Sequence, residues 1–343
     1  MKKSHRLTKR FIFFPLDFAT SRIAFITAVL FVMNLSISVA SENVPLRIAM
    51  ATSPLSAPFI IAHEKGYFKE LGLNVSIKQV KGGHLAFKAL AAGEADIATS
   101  SEAVVMFSSF KYDDFSMFCT FVSSDNDVKI LAHRDSGIKT ISDLKGKKVA
   151  TILGASAHFF LNHTLLMKGI AESELEILGF NPHQATAFLQ SRKVDAVVTW
   201  EPYAYLAQKK LGDDAVLIEH ERVYIETFNA LSKRDFARKN KKVLEKVTQA
   251  LIKATKFINS EQAETQIIVA KTLNKKLDVI KSNWDDFLFA VRLEQWLLTS
   301  LEAEARWALG HDFVKGKVMP NYLNYINVEP LKKVAPSKIT IFN

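Results

Sequence analysis

The sequence predicts an α/β layer fold made of two successive units, followed by a helical third. Three observations carry this. Short strand-like apolar runs alternate with helix-like runs from Leu46 onward, the alternation restarts at Lys129, and beyond about residue 224 helical periodicity takes over. Strands that alternate with helices imply a mainly parallel sheet in each unit.

The elements follow in order. Leu46–Met50 is a short apolar strand. Pro58–Leu71 reads as one helix, with Pro58 in its first turn and Gly72 as its stop. Val75–Val80 alternates as a strand, Leu85–Ala92 is a helix ended by Gly93, and Asp96–Thr99 is a strand running into Ser100-Ser101-Glu102 and another helix. In the second unit Lys129–Ala132 is a strand and Ser142–Gly146 a short capped turn of helix. Lys148–Leu153 is a strand, and a helix runs from Gly154-Ala155-Ser156 to Lys168. Leu175–Leu178, Asp195–Thr199 and Val216–Ile218 are strands. His183–Ser191 and a segment opened by Glu201-Pro202 and reaching Leu211 are helices. Lys241–Asn259, Glu261–Thr272 and Trp284–Leu309 are amphipathic and read as helical throughout. The chain is expected to cross into the second unit near Asp125–Lys129 and to return near Tyr224–Asn229.

Composition narrows the class. With 48% hydrophobic and 23% charged residues in 343, wholesale disorder is excluded, and 13 Gly and 9 Pro exclude collagen-like or low-complexity architecture. A single cysteine, Cys119, excludes an internal disulfide framework and Cys-rich metal sites; its apolar surroundings, Phe118 to Val122, predict a buried thiol. The formal charge is +10, but residues 1–40 alone hold six basic residues against Asp17, so half the excess lies there. The Lys/Arg runs of the remainder (Lys147-Lys148, Lys209-Lys210, Arg238 to Lys242) sit at segment ends, without interleaved aromatics. They read as solvated faces, and no nucleic-acid partner is expected.

Those first forty residues have the layout of a secretory signal: a basic stretch ending at Arg22, an apolar run from Ile23 to Leu35, then Ser38-Val39-Ala40 with a cut expected after Ala40. An uncleaved anchor is the rival, since 18 residues barely suffice to span a bilayer. No cysteine stands near the cut to carry a lipid. The expectation is a soluble, exported chain.

Ligands of open α/β sheets bind beyond the carboxyl ends of the strands. Here those ends share small polar residues: Thr52 to Ala57, Lys81-Gly82-Gly83-His84, Ser100-Ser101-Glu102, Gly154-Ala155-Ser156-Ala157, and Trp200-Glu201-Pro202. Each precedes a predicted helix N-terminus, whose free N–H groups favour anionic atoms. Taken singly, Ser100, Ser101 and Ser156 could be ordinary N-caps, and Gly82-Gly83 an ordinary turn. Recurrence in both units favours a ligand. Trp200 is either core or a stacking wall, and Glu201 either accepts a ligand ammonium or caps its own helix. Catalytic signatures are missing: there is no G-x-S-x-G, P-loop or H-E-x-x-H, and His158 and His163, five apart, do not share a helical face. Asp113-Asp114, Asp213-Asp214 and Asp285-Asp286 read as exposed acids.

SPLSAPFIIAHEKGYFKELGLNV from Ser53, the Gly82-Gly83 pair and ALAAGEADIATSS from Ala89 resemble the opening lobe of ABC-transporter substrate-binding proteins of the nitrate/sulfonate/taurine-binding family, which includes thiamine-precursor binders. ISDLKGKKVAT from Ile141, LGASAHFFL and DAVVTWEPY from Asp195 resemble its second lobe; together the likeness spans about residues 46–235. The resemblance implies a type II periplasmic binding protein: two α/β lobes joined by two hinge segments, with lobe 1 at 45–128 and 225–343, including a helical C-terminal extension, and lobe 2 at 129–224. It implies a monomer that captures a small anionic or zwitterionic ligand between the lobes and delivers it to an ABC permease of the inner membrane. No cofactor, metal or catalytic residue is expected. Carried over by position, the lining candidates are Ser53, Ser56, Gly83, Ser100, Ser101, Ser156, Ala157 and Trp200, with Glu201, Glu226 and Asn229 weaker. No arginine stands at these loops, which disfavours a multiply charged acid. Enzymes of the same fold, desulfinase-like or thiamine-pyrimidine-synthase-like, are the alternative. The first needs a cysteine in the cleft, and the second a cysteine-rich motif that is missing. A ligand-presenting sensory module is the third reading.

Overall fold

The computed structural model describes residues 44–316 and 318–342; the signal-like segment 1–40 lies outside them. The chain begins with β1 (Val44–Ala51), α1 (Ala57–Glu64), α2 (Tyr67–Glu70), β2 (Leu73–Val80), α3 (Gly83–Ala91), β3 (Ile97–Ser101), α4 (Glu102–Ser109) and β4 (Phe115–Ser124). It then crosses to β5 (Val128–His133), β6 (Lys148–Thr151), α5 (Ser156–Met167), β7 (Glu176–Gly179), α6 (Ala185–Gln190), β8 (Ala196–Trp200), α7 (Tyr203–Leu211) and β9 (Ala215–Ile218). It returns through β10 (Glu226–Lys233), α8 (Arg234–Lys239), α9 (Lys241–Ser260), α10 (Gln262–Thr272), α11 (Leu277–Lys281), β11 (Phe287–Leu288), α12 (Gln295–Gly310) and α13 (Glu329–Val334).

Two sheets result. The first has strand order β11-β4-β10-β3-β1-β2 and the second β7-β6-β8-β5-β9. β1 pairs in parallel with β2 and β3, and β6 with β7 and β8, as βαβ connections require. β10 lies antiparallel between β3 and β4, and β5 antiparallel between β8 and β9. The parallel expectation is corrected at β11, antiparallel to β4 at the sheet edge, and at the two inner strands β10 and β5. Both are the first strand after a crossing, so each enters its sheet from the end where the other strands finish and must run against them.

Three further expectations are corrected. The Pro58–Leu71 helix is two helices, because Gly66 takes a left-handed φ of +73° between them. β10 falls where helix was expected; its residues are buried along nearly its whole length, so period-2 alternation is lost. Trp284–Leu309 is not continuous: Trp284, Phe287 and Leu288 mimic a helical stripe, yet Phe287 and Leu288 pair with Ser124 and Ser123 at the sheet edge, and helix starts only at Gln295.

Helices cover both faces of the first sheet, so β3 and β4 are buried at every residue. α9 lays its apolar stripe, Val243, Leu244, Val247, Leu251, Ala254 and Ile258, against α1 and α13. Cys119 is fully buried in β4, and burial pushes its thiol pKa up. No helix among the described residues is long and apolar enough to cross a membrane.

Candidate functional site

The carboxyl ends of both sheets meet the two crossings, residues 125–127 and 219–225. On the first-lobe side, Ser53 caps the turn after β1, its Oγ accepting from Leu55 N–H at 3.2 Å. Ser56 is buried and donates to Ala51 O at 2.9 Å. The Ser56 O–H is thus spent on its own backbone, whereas the Ser53 O–H keeps its proton available. Ser100 is fully buried with an unpartnered Oγ, and Ser101 makes no capping bond. Asn229 stands opposite Ser100 in the β10–β3 register; its Oδ1 accepts from Thr120 Oγ1 at 2.6 Å and its Nδ2 donates to Thr227 Oγ1 at 2.9 Å.

Gly83 is explained by Ser100. A Cβ at Gly83 would lie 2.7 Å from Ser100 Oγ and 3.0 Å from Ser100 Cα. The second contact is with backbone, which no rotamer change relieves. Gly83→Ala is expected to destabilise the fold by about 1–3 kcal/mol, and Ser100→Ala to restore only part of it, as chemical denaturation of the single and double variants would read.

On the second-lobe side, Ser156 opens α5 without a capping bond, and Ala157 is core. Trp200 ends β8 half-buried, opposite Val128. The Glu201–Pro202 peptide is cis, and Glu201 Oε2 accepts from Tyr205 N–H at 2.9 Å, so of its two possible roles the structure displays the helix cap. Burial raises the Glu201 pKa, opposed by that bond.

The floor where these elements converge is acidic. Glu102, Asp127, Glu226 and Glu304 are all buried. They come from the start of α4, the first crossing, the start of β10 and α12. Glu102 is the best supported: Oε1 accepts from Tyr224 O–H, and Oε2 from Thr227 N–H at 2.5 Å and Thr227 Oγ1 at 2.8 Å. Burial raises its pKa while those three donors lower it. Glu304 faces Glu102, and burial plus that neighbour push its pKa well up. Since Glu102 is saturated with donors, the proton of this pair sits on Glu304. Glu226 faces Asp127 in the same way. Burial first, then Asp127 and Glu102, push Glu226 well up, while Asp127 is raised to about 7 by burial and then by Glu201. Glu226 therefore holds the second shared proton. Like charges this close in low dielectric cannot all ionise.

Aromatic rings wall this floor and join the lobes. Phe159 of α5 stands 5.7 Å from Tyr224 and 5.5 Å from Trp307 of α12, ring centroid to centroid. His158 packs edge-on against Trp307 and Phe313. Its Nδ1 accepts from Gly154 N–H at 3.2 Å, so Nε2 carries the proton and donates to Glu172 at 2.8 Å. It is a packed, satisfied histidine. No cluster of metal-ligating side chains occurs among the described residues.

The structure thus gathers Gly83, Ser100, Ser101, Glu226 and Asn229 on one side and brings Trp200 and Glu201 to the first crossing. It turns Ser53 and Ser56 to their own backbone and sinks Ala157 into the core. Sequence reasoning missed Glu102 as a site residue, and Asp127, Tyr224, Glu304 and Trp307 altogether. One signal was readable: Glu304 interrupts the stripe Leu297, Leu301, Ala305, Ala308 on a helix whose other buried positions are apolar.

Known proteins resemble the chain as follows. A family model described as NMT1/THI5 like matches residues 53–265. A protein of Escherichia coli strain K12 named for aliphatic sulfonates binding is 27% identical over 253 residues, covering 72% of this chain and 78% of its own. One so named from Bacillus subtilis strain 168 is 30% identical over 160 residues, 46% of this chain and 48% of its own, so the likeness spans about half of that relative. The crystal structure of the periplasmic aliphatic sulphonate binding protein SsuA from Escherichia coli superposes with a TM-score of 0.73 at 22% identity, covering 82% of this chain and 97% of that one. The desulfurization enzyme DSZB superposes with a TM-score of 0.65 at 13% identity, covering 85% and 99%. At such identities the superpositions establish the two-lobe fold.

Proposed function

From the premise that this chain belongs to the NMT1/THI5-like family, we propose that it is a periplasmic solute-binding protein. It captures a small molecule between lobe 1 (45–128 and 225–343) and lobe 2 (129–224) and hands it to an ABC permease of the inner membrane. It is exported by a signal cut after Ala40 and acts as a monomer. The observation that carries the reading is the convergence of both sheets' carboxyl ends on one buried polar floor at the crossings. A ligand that touches both lobes only when they are shut shifts the population toward the closed form, which a permease can recognise.

The relatives named for sulfonates support a sulfonate- or taurine-like solute. The acidic floor favours the zwitterionic end of that class over simple anions such as nitrate. The lining candidates are Ser100, Ser101, Ser156, Trp200, Glu226 and Asn229. An enzyme on this fold, as DSZB is, receives less support, because the sole thiol, Cys119, is sealed in β4.

A thermal-shift panel of taurine, alkanesulfonates, nitrate, bicarbonate, pyrimidines and aromatic acids tests the reading, with Trp200→Ala as control. A ligand at about 100 times its dissociation constant adds roughly 2.7 kcal/mol of stability. A shift from one chemical class, weakened in the control and with ligand recovered unchanged, is the expected result. Ligand recovered chemically altered would overturn the non-enzymatic reading.

A further inference from the structure

The four carboxyls of the floor arrive from segments more than 200 residues apart, yet they are served by few donors. Among the described residues, both Glu304 oxygens and Glu226 Oε2 receive no N–H or O–H. The nearby cations are engaged elsewhere: Lys129 Nζ with Asp286 at 3.0 Å, and Arg222 with Asp125 at 2.6 Å and Asp286 at 3.8 Å. A second observation is independent of the acids. Trp307, one turn beyond Glu304 on α12, is 7% exposed, and its Nε1–H has no acceptor; Ser100 Oγ, fully buried, is also unpartnered. Carboxyls that have little but each other for partners, with the unpartnered buried groups of Trp307 and Ser100 and a wall of Tyr224, Phe159 and Trp307, match the two ends of a bound molecule.

We infer that this floor receives a cationic nitrogen, an ammonium or amidinium head, held by Glu226 and Glu304 against the aromatic wall. The inference rests on the cleft being the solute site, and it names the part of the solute that decides affinity. Unpaired carboxylates in a buried site are costly, so the ligand-free floor halves its charge by sharing one proton between Glu304 and Glu102 and another between Glu226 and Asp127. An incoming cation takes the place of a proton: one positive charge enters and about one proton leaves to solvent. Trp307 Nε1–H and the Ser100 hydroxyl then donate to an acceptor elsewhere on the same molecule, which fits an amine joined to an oxoanion better than an oxoanion alone.

The test uses matched probes that differ in the nitrogen: taurine against ethanesulfonate, and benzamidine against benzamide. Titration calorimetry on the full chain, in two buffers of different ionisation enthalpy, reads affinity and proton release together. The cationic member of a pair should bind at least tenfold tighter, release about one proton, and tighten as pH rises from 5.5 to 7.5. The groups facing the cation that set this slope are Glu102, Asp127, Glu201, Tyr224, Glu226 and Glu304, with Asp286 and Lys129 at the margin. Glu226→Gln and Glu304→Gln should each weaken binding tenfold or more. Their melting temperatures at pH 8 should be unchanged or higher, which separates lost recognition from lost folding. Equal binding of ethanesulfonate and taurine, with affinity untouched in both variants, would overturn the cation inference and leave the solute-binding reading standing. Failure of every probe here and of every member of the broader panel would overturn both.

Discussion

Replacing Glu102 with alanine is expected to destabilise the protein by roughly 3–5 kcal/mol, since three buried donors lose their acceptor and each unsatisfied donor costs about 1–3 kcal/mol. The donors are Tyr224 O–H in the return crossing and Thr227 N–H and O–H at the start of β10. Glu102 itself opens α4, directly after β3. The carboxylate therefore ties the end of the first lobe's parallel strands to the segment that brings the chain back from the second lobe. Glu102→Gln should lose less, because its amide oxygen still accepts, but the NH2 group meets donors and cannot satisfy them all. Denaturant unfolding of the two variants measures this order. A loss below about 1 kcal/mol in the alanine variant would mean the three donors find water, and the hub role would fall.

The ligand-free protein is expected to lose stability as pH rises from 5 to 8. The floor carboxyls have folded pKa values above their unfolded ones: Asp127 at about 7, and Glu226 and Glu304 pushed well up by burial and by their facing acids. Between the unfolded values, near 4, and these raised ones, the folded state holds more protons than the unfolded chain, so stability falls as pH rises through that window. Two kinds of group act the other way. His163, half-buried and pushed down by burial, costs stability below about pH 6.5. Glu172, which burial pushes up but whose bonds from His158 and Asn162 hold it low overall, matters only when pH drops below the ordinary carboxylate range. The raised carboxyls outnumber these in the neutral range. Melting temperatures at pH 5, 6.5 and 8 read the slope, and Glu226→Gln and Glu304→Gln should each flatten it. A melting temperature that climbs from pH 5 to 8 in the ligand-free chain would refute the proton-sharing account. A floor that gains stability when an acid becomes an amide is one kept for binding at the expense of stability.

What the sequence determined alone is whatever neighbours in the chain decide. The strand-helix alternation through Ile218 followed from local apolar periodicity. The small polar loops after β1, β2, β3, β6 and β8 marked the right ends of both sheets, and the Phe118–Val122 run foretold the burial of Cys119. The motifs from Ser53 to Ser101 and from Ile141 to Tyr203 were specific enough to indicate the family. Tertiary structure alone decided the rest. β10 could not be seen locally, because a strand buried on both faces carries no alternation, and its place between β3 and β4 depends on a chain that has left and returned. It alone showed that Ser53 and Ser56 bond their own backbone while Ser100, at the end of a motif the sequence did display, is left unpartnered against Gly83. The acidic floor was the least legible. Glu102, Asp127, Glu226 and Glu304 each sit in ordinary local sequence, and a carboxyl's protonation and partners depend on what packs around it from distant segments, which no local pattern encodes.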